Sequence, residues 1–109
     1  MCRALKVLCI APDASRLNEV KRAAVSAEWE LAPGATDRAD ALEQLASERP
    51  HVIVAIGVSP DVVRAVRERA PYVRLVTDLD VAEADLVVHD EAEIRAAVKG
   101  TPSPGGPVR

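Results

Sequence analysis

His51-Val52-Ile53-Val54-Ala55-Ile56-Gly57-Val58-Ser59-Pro60-Asp61 decides the architecture. After the opening His the run is aliphatic and mostly β-branched. A strand apolar at consecutive positions is one covered on both faces. Ser59-Pro60-Asp61 then reads as a helix start. Ser can cap, Pro is tolerated at the first helical position, and Asp suits the positive end of the helix dipole. In the helix that follows, Val62, Val63, Val66 and Ala70 turn inward, and Arg64, Arg67, Glu68 and Arg69 face water. A strand buried on both sides and followed at once by an amphipathic helix is the unit of a parallel α/β sheet.

The same rhythm extends in both directions. Upstream, residues 5–10 form an apolar strand, and Asp13 or Ser15 caps a helix carrying Leu17, Val20, Ala24 and Ala27. Residues 28–31 are a short strand ended by Pro33-Gly34. Thr36 or Asp37 opens a helix with Ala39, Leu42, Leu45 and Ala46 on one side, and Pro50 closes it. Downstream, residues 72–77 and 86–89 are the fourth and fifth strands. Asp90 and Glu93 have capping-box spacing for a last helix with Ile94, Ala97 and Val98, ended by Gly100. Only eight residues, 78–85, join the last two strands, fewer than a helical crossover uses. About 26 Å of extended chain still permits a parallel return, and a hairpin is the competing geometry.

Length and composition narrow the function. The 109 residues fit one domain, residues 1–100, with a Pro- and Gly-rich disordered tail at 101–109. With one Trp, one Tyr and no Phe, the core must be aliphatic. A net charge of −3 offers no footprint for nucleic acid or an anionic membrane. No run reaches the ~20 apolar residues of a membrane span, and no signal-peptide core precedes the first strand. A cytoplasmic protein is the expectation. Cys9, inside the first strand, reads as a buried thiol, and Cys2 and Cys9 make no disulfide framework.

Strand order, and the length of residues 50–60 between two prolines, resemble the receiver domain of response regulators over residues 5–99. The resemblance implies a CheY-like, flavodoxin-like three-layer α/β domain. Its five-stranded, mainly parallel sheet would have the order 2-1-3-4-5, with the fourth helix reduced to a turn. Receivers carry an acidic pair after the first strand and a phosphorylated Asp after the third. A Ser or Thr follows the fourth strand and Lys-Pro the fifth. Here the acidic pair falls on Ala11 and Pro12, with Asp13 next to them. The nucleophile falls on Ile56, the hydroxyl on Thr77 (Val76 by a one-residue shift), and Lys-Pro on His89-Asp90. An alkyl side chain cannot form an acyl phosphate. The resemblance therefore implies a degenerate pseudo-receiver: a non-enzymatic signalling or scaffolding module that needs no cofactor and works through a protein partner.

Other readings compete. Open parallel sheets bind ligands beyond the carboxyl ends of their strands. Asp13, Asp78, Asp80 and His89 fall there and could hold a divalent metal in a small-ligand or enzymatic domain; the plain alternative is helix caps, loop acids and a solvated His. Asp78-Leu79-Asp80 resembles the Asp-x-Asp of Toprim enzymes, but the Glu they need is replaced by Ile10-Ala11-Pro12. Cys9 and Arg16 resemble a phosphatase loop with one residue too many and no Gly. A dinucleotide turn is excluded, because residues 11–15 contain no Gly and Pro12 removes an amide donor. His51 is expected at the surface. His89 is a pH-sensitive element or a loop-edge His. Trp29 is either a core plug or an anchor for another chain in a homo-oligomer.

Overall fold

The computed structural model describes residues 5–25, 29–79, 81, 84–89 and 91–99. Its sheet contains β1 (Leu5–Ile10), β2 (Trp29–Leu31), β3 (Val52–Ala55), β4 (Arg74–Thr77) and β5 (Leu86–Val87). The strand order is β2-β1-β3-β4-β5, and every pair is parallel. The connection of residues 78–85 therefore returns as a crossover, not a hairpin. Helices α1 (Ala14–Ala24), α2 (Arg38–Glu48), α3 (Pro60–Arg69) and α4 (Glu91–Lys99) cover the sheet.

Side-chain alternation splits the core into two layers. Val7, Cys9, Val52, Val54 and Val76 pack with Val20 and Ala24 of α1 and Ile94, Ala97 and Val98 of α4. Leu8, Ile10, Ile53, Ala55 and Leu75 pack with Ala41 and Leu45 of α2 and Val63 and Val66 of α3. Each fully buried aliphatic side chain contributes about 1.5–3 kcal/mol. Lys6, the one charge in β1, stays half-buried and reaches the rim, where its Nζ pairs with Glu48 at 3.1 Å.

Caps set the helix starts. Asp13 accepts from Arg16 N at 2.9 Å and Asp37 from Asp40 N at 2.7 Å. Ser59 is the N-cap of α3 but makes no side-chain cap bond; its carbonyl takes Val62 N at 3.1 Å instead. Gly34, at φ 96°, holds backbone that side-chain-bearing residues rarely adopt, and a Cβ there would force Leu17 Cδ1, 2.9 Å away, to shift.

Several expectations are corrected. Ala41, Leu45 and half-buried Leu42 face inward in α2, whereas Ala39 and Ala46 are exposed. Alanine fits either face, so larger Leu45 sets the rotation. β3, β4 and β5 are shorter than their apolar runs, and Tyr72 is an exposed turn residue. His51 is half-buried: its Nδ1 accepts from Lys6 N at 3.0 Å, in the place of a ladder carbonyl. Trp29, for which core plug and partner anchor are the two readings, is only 7% exposed and packs in the core of its own domain. Its indole donates to Ala24 O at 2.7 Å, satisfying a carbonyl at the end of α1. The tail at 101–109, Ala27, Asp90 and Gly100 lie outside the described residues.

Arg67 does not simply face water. Its side chain is 20% exposed, and Nη2 donates to Asp85 Oδ2 at 2.5 Å. Nη1 donates to Pro71 O at 2.9 Å and Val73 O at 3.1 Å. Asp85 Oδ2 also accepts from Leu75 N at 2.8 Å. Ordinary exposed pairs contribute about 0.2–1 kcal/mol, and the shared backbone amide raises what this one does locally.

Two measurements follow from these contacts. Trp29→Phe leaves Ala24 O without its donor and is expected to lower unfolding stability by about 1–3 kcal/mol in urea titrations. Partial burial pushes the Asp85 carboxyl up, but Leu75 N–H, Arg67 and Arg74 outweigh it and hold the group below its ordinary range. A depressed carboxyl stabilises the fold above its unfolded-state value, about 3.9. That contribution falls away as the pH drops through the folded value. Wild type should therefore lose stability below about pH 4, and Asp85→Asn should show a shallower acid dependence.

Candidate functional site

In this strand order the chain steps from β1 outward to β2 and then back across to β3. The carboxyl ends of β1 and β3 are thus the topological switch point, where open parallel sheets hold ligands. Ala11, Pro12 and Asp13 follow β1, and Ile56 and Gly57 follow β3.

Ile56 continues the pairing one residue past β3, with its N–H donating to Ile10 O at 2.9 Å. Alternation carries its side chain to the α1/α4 side with Val52 and Val54, and it is 8% exposed. Ala11, Val76 and Val88 belong to the same buried cluster. The carboxyl edge at this point is therefore an outward extension of the core. Ala11 is fully buried and donates its N–H to Ala35 O at 3.1 Å. Pro12 is exposed and folds over Gly57, which has φ 73°; a Cβ there would lie 3.3 Å from Pro12 Cδ.

The polar groups of the edge are turned to the backbone. Asp13 is the cap of α1. Thr77 is fully buried, and its Oγ1 accepts from Leu79 N at 3.2 Å. Exposed Asp78 takes Gly57 N at 3.1 Å, tying the end of β4 to the end of β3. His89 is exposed, and its backbone N–H donates to Glu93 Oε1. Glu93 thus reaches one residue beyond the position that a capping box uses.

Asp13, Asp78 and His89, three of the four proposed metal ligands, form no metal-holding cluster in the structure. Among the described residues, no three of His, Cys, Asp or Glu are grouped so as to hold a cation. Asp80 lies outside those residues. Cys9 is buried, and burial pushes its thiol up to about 12, against a lowering by Lys21. A thiol that stays protonated is a poor nucleophile. Two contacts escaped sequence reasoning, the Asp78–Gly57 tie and the use of His51 as an acceptor. Each links segments 21 or 45 residues apart, and no local pattern reports such a pairing.

Comparison with solved structures gives the receiver fold. A signal receiver domain of an HD domain-containing protein from Pseudomonas fluorescens Pf-5 superposes with a TM-score of 0.72. That alignment covers 89% of this chain and 93% of that one at 16% identity. The chemotaxis protein CheY4 of Vibrio cholerae aligns at 0.69 and 18% identity over 89% and 98% of the two chains. The response regulator domain of Thermotoga maritima CheB aligns at 0.64 and 18% identity over 92% and 100%. No family model and no curated protein matches the sequence. Identities this low carry architecture and not chemistry.

Two substitutions probe the edge. Asp13→Ala should cost about 1 kcal/mol in denaturant unfolding, with Asp13→Ser close to wild type, because the carboxylate acts as a cap. Ile56→Asp should cost about 3 kcal/mol or more, because it places a charge among Ala11, Val54 and Val88.

Proposed function

We propose that this chain is a receiver-like signalling or scaffolding module that works through protein contacts and accepts no phosphoryl group on aspartate. One observation carries the reading: Ile56, an alkyl side chain packed into the core, stands where the receiver resemblance puts the nucleophile. Phosphoryl transfer to a carboxylate requires a lone pair aimed at phosphorus. It also requires oxygen ligands that hold Mg²⁺ against the incoming group. Ile56 has no lone pair to offer. Ala11 and Pro12, at the positions of the acidic pair, have no side-chain oxygen. Asp13, the nearest acid, already accepts a backbone amide of α1.

Ala11, Pro12, Asp13, Ile56, Thr77 and His89 are in this reading the remnants of a receiver site, and the module is not an enzyme. Its work is done in the cytoplasm by binding a protein. A net charge of −3 argues against nucleic acid as the partner. No helix among the described residues is long and apolar enough to cross a membrane.

The test is direct. The full chain incubated with acetyl phosphate and Mg²⁺ should show no phosphate adduct by intact-mass spectrometry. An adduct that hydroxylamine removes would be an acyl phosphate and would overturn the reading.

A further inference from the structure

β5 is two residues long, with the register Val76↔Leu86 and Thr77↔Val87. Beyond that register it is joined to β4 by two backbone bonds, Val88 N to Thr77 O and Asp85 N to Leu75 O, both 2.9 Å. A strand this short has little ladder to hold it. Asp85 compensates with its side chain. While its own N–H donates to Leu75 O, its Oδ2 accepts from Leu75 N at 2.8 Å. The carboxylate thus supplies the acceptor that a longer strand would have supplied as a carbonyl.

The same oxygen takes Arg67 Nη2 at 2.5 Å, and Arg67 Nη1 is fixed by Pro71 O and Val73 O. Arg67 belongs to α3, whose Val63 and Val66 are buried against the sheet. The Arg67–Asp85 pair therefore ties the edge to a rigid element. Charge-assisted bonds of this kind are about twice as strong as neutral ones and more dependent on both partners.

We propose that the Arg67–Asp85 pair is a latch that holds the β5 edge on β4. Its release opens residues 85–88 as a local unit while β1 and β3 stay folded. The opened state leaves Leu75 N–H, Leu75 O and Thr77 O without their β5 partners, turning β4 into the edge of the sheet. The inference uses only this geometry and stands or falls apart from the phosphorylation reading.

Native-state hydrogen exchange on the full chain, read residue by residue by NMR, tests it. In the wild type, the amides of Leu75, Asp85 and Val88 should share one opening, faster than that of Leu8, Ile53 and Val54. Asp85→Ala and Arg67→Leu should each accelerate Leu75 and Val88 by about tenfold or more, with β1 and β3 unchanged. The double variant should go no further than either single one. Asp85→Asn, which keeps the shape and loses the charge, should give a smaller acceleration in the same residues and serves if the harsher variants do not fold. Uniform acceleration across β1 and β3 would make the pair an ordinary contributor to global stability and sink the latch. Unchanged exchange at Leu75 and Val88 would sink it equally.

Discussion

The parallel pairing of β1 with β3 is the constraint on which the rest of the structure depends. Val7, Leu8, Cys9 and Ile10 lie in register with Val52, Ile53, Val54 and Ala55, and these residues are at most 1% exposed. Two adjacent strands that must be dry on both faces require helices on both sides. The chain supplies α1 and α4 to one face and α2 and α3 to the other. Pairing the first strand with the third also reverses the direction of winding between them. That reversal places the ends of β1 and β3 side by side and makes their carboxyl edge the natural place for a site.

What occupies that edge follows from backbone accounting. Backbone amides at the ends of strands and helices have no ladder or helical partner, and at this edge side chains supply several acceptors. Asp13 serves α1, Thr77 serves Leu79, Asp78 serves Gly57 and Glu93 serves His89. The end of β3 at the switch point is filled by Ile56, in one buried cluster with Ala11. The acids near the switch point thus hold the architecture together, and the hydrophobic core advances to the rim. A carboxylate held by a backbone amide has part of its acceptor capacity already committed, which weakens it as a ligand.

Much of this was legible in the sequence, for identifiable reasons. Consecutive apolar residues at 7–10 and 52–55 mark strands buried on both faces, and Asp13 and Asp37 announce their helices by type and position. The apolar run at 52–56 announces β3, which ends at Ala55 with Ile56 one residue past it. The rotation of alanine-rich α2 is not legible, because Ala39 and Ala46 carry no preference strong enough to set it. Helical spacing alone makes Arg67 a solvated charge, because its partner Asp85 is 18 residues away. His51 looked like a surface residue because nothing local shows that Lys6 N, 45 residues earlier, needs an acceptor. Local pattern reports burial and period; it does not report which side chain closes a distant backbone bond.

The contrast between centre and edge bears on how such a module could change state. β1 and β3 pair over four register positions and are covered on both sides, whereas β5 pairs over two and is held by a short ladder, the burial of Val88 and the Arg67–Asp85 pair. Local openings draw on the regions with the fewest buried contacts, so the edge at β5 is cheaper to rearrange than the switch point. A partner can shift such an equilibrium only by as much as it prefers one state, about 1.4 kcal/mol for each tenfold change in population. An opening that costs a few kcal/mol lies within the reach of ordinary binding, whereas unpairing β1 from β3 would unfold the domain. The mechanically soft part of the sheet is therefore its β5 edge, and any binding event that prefers one of its two states can act on it.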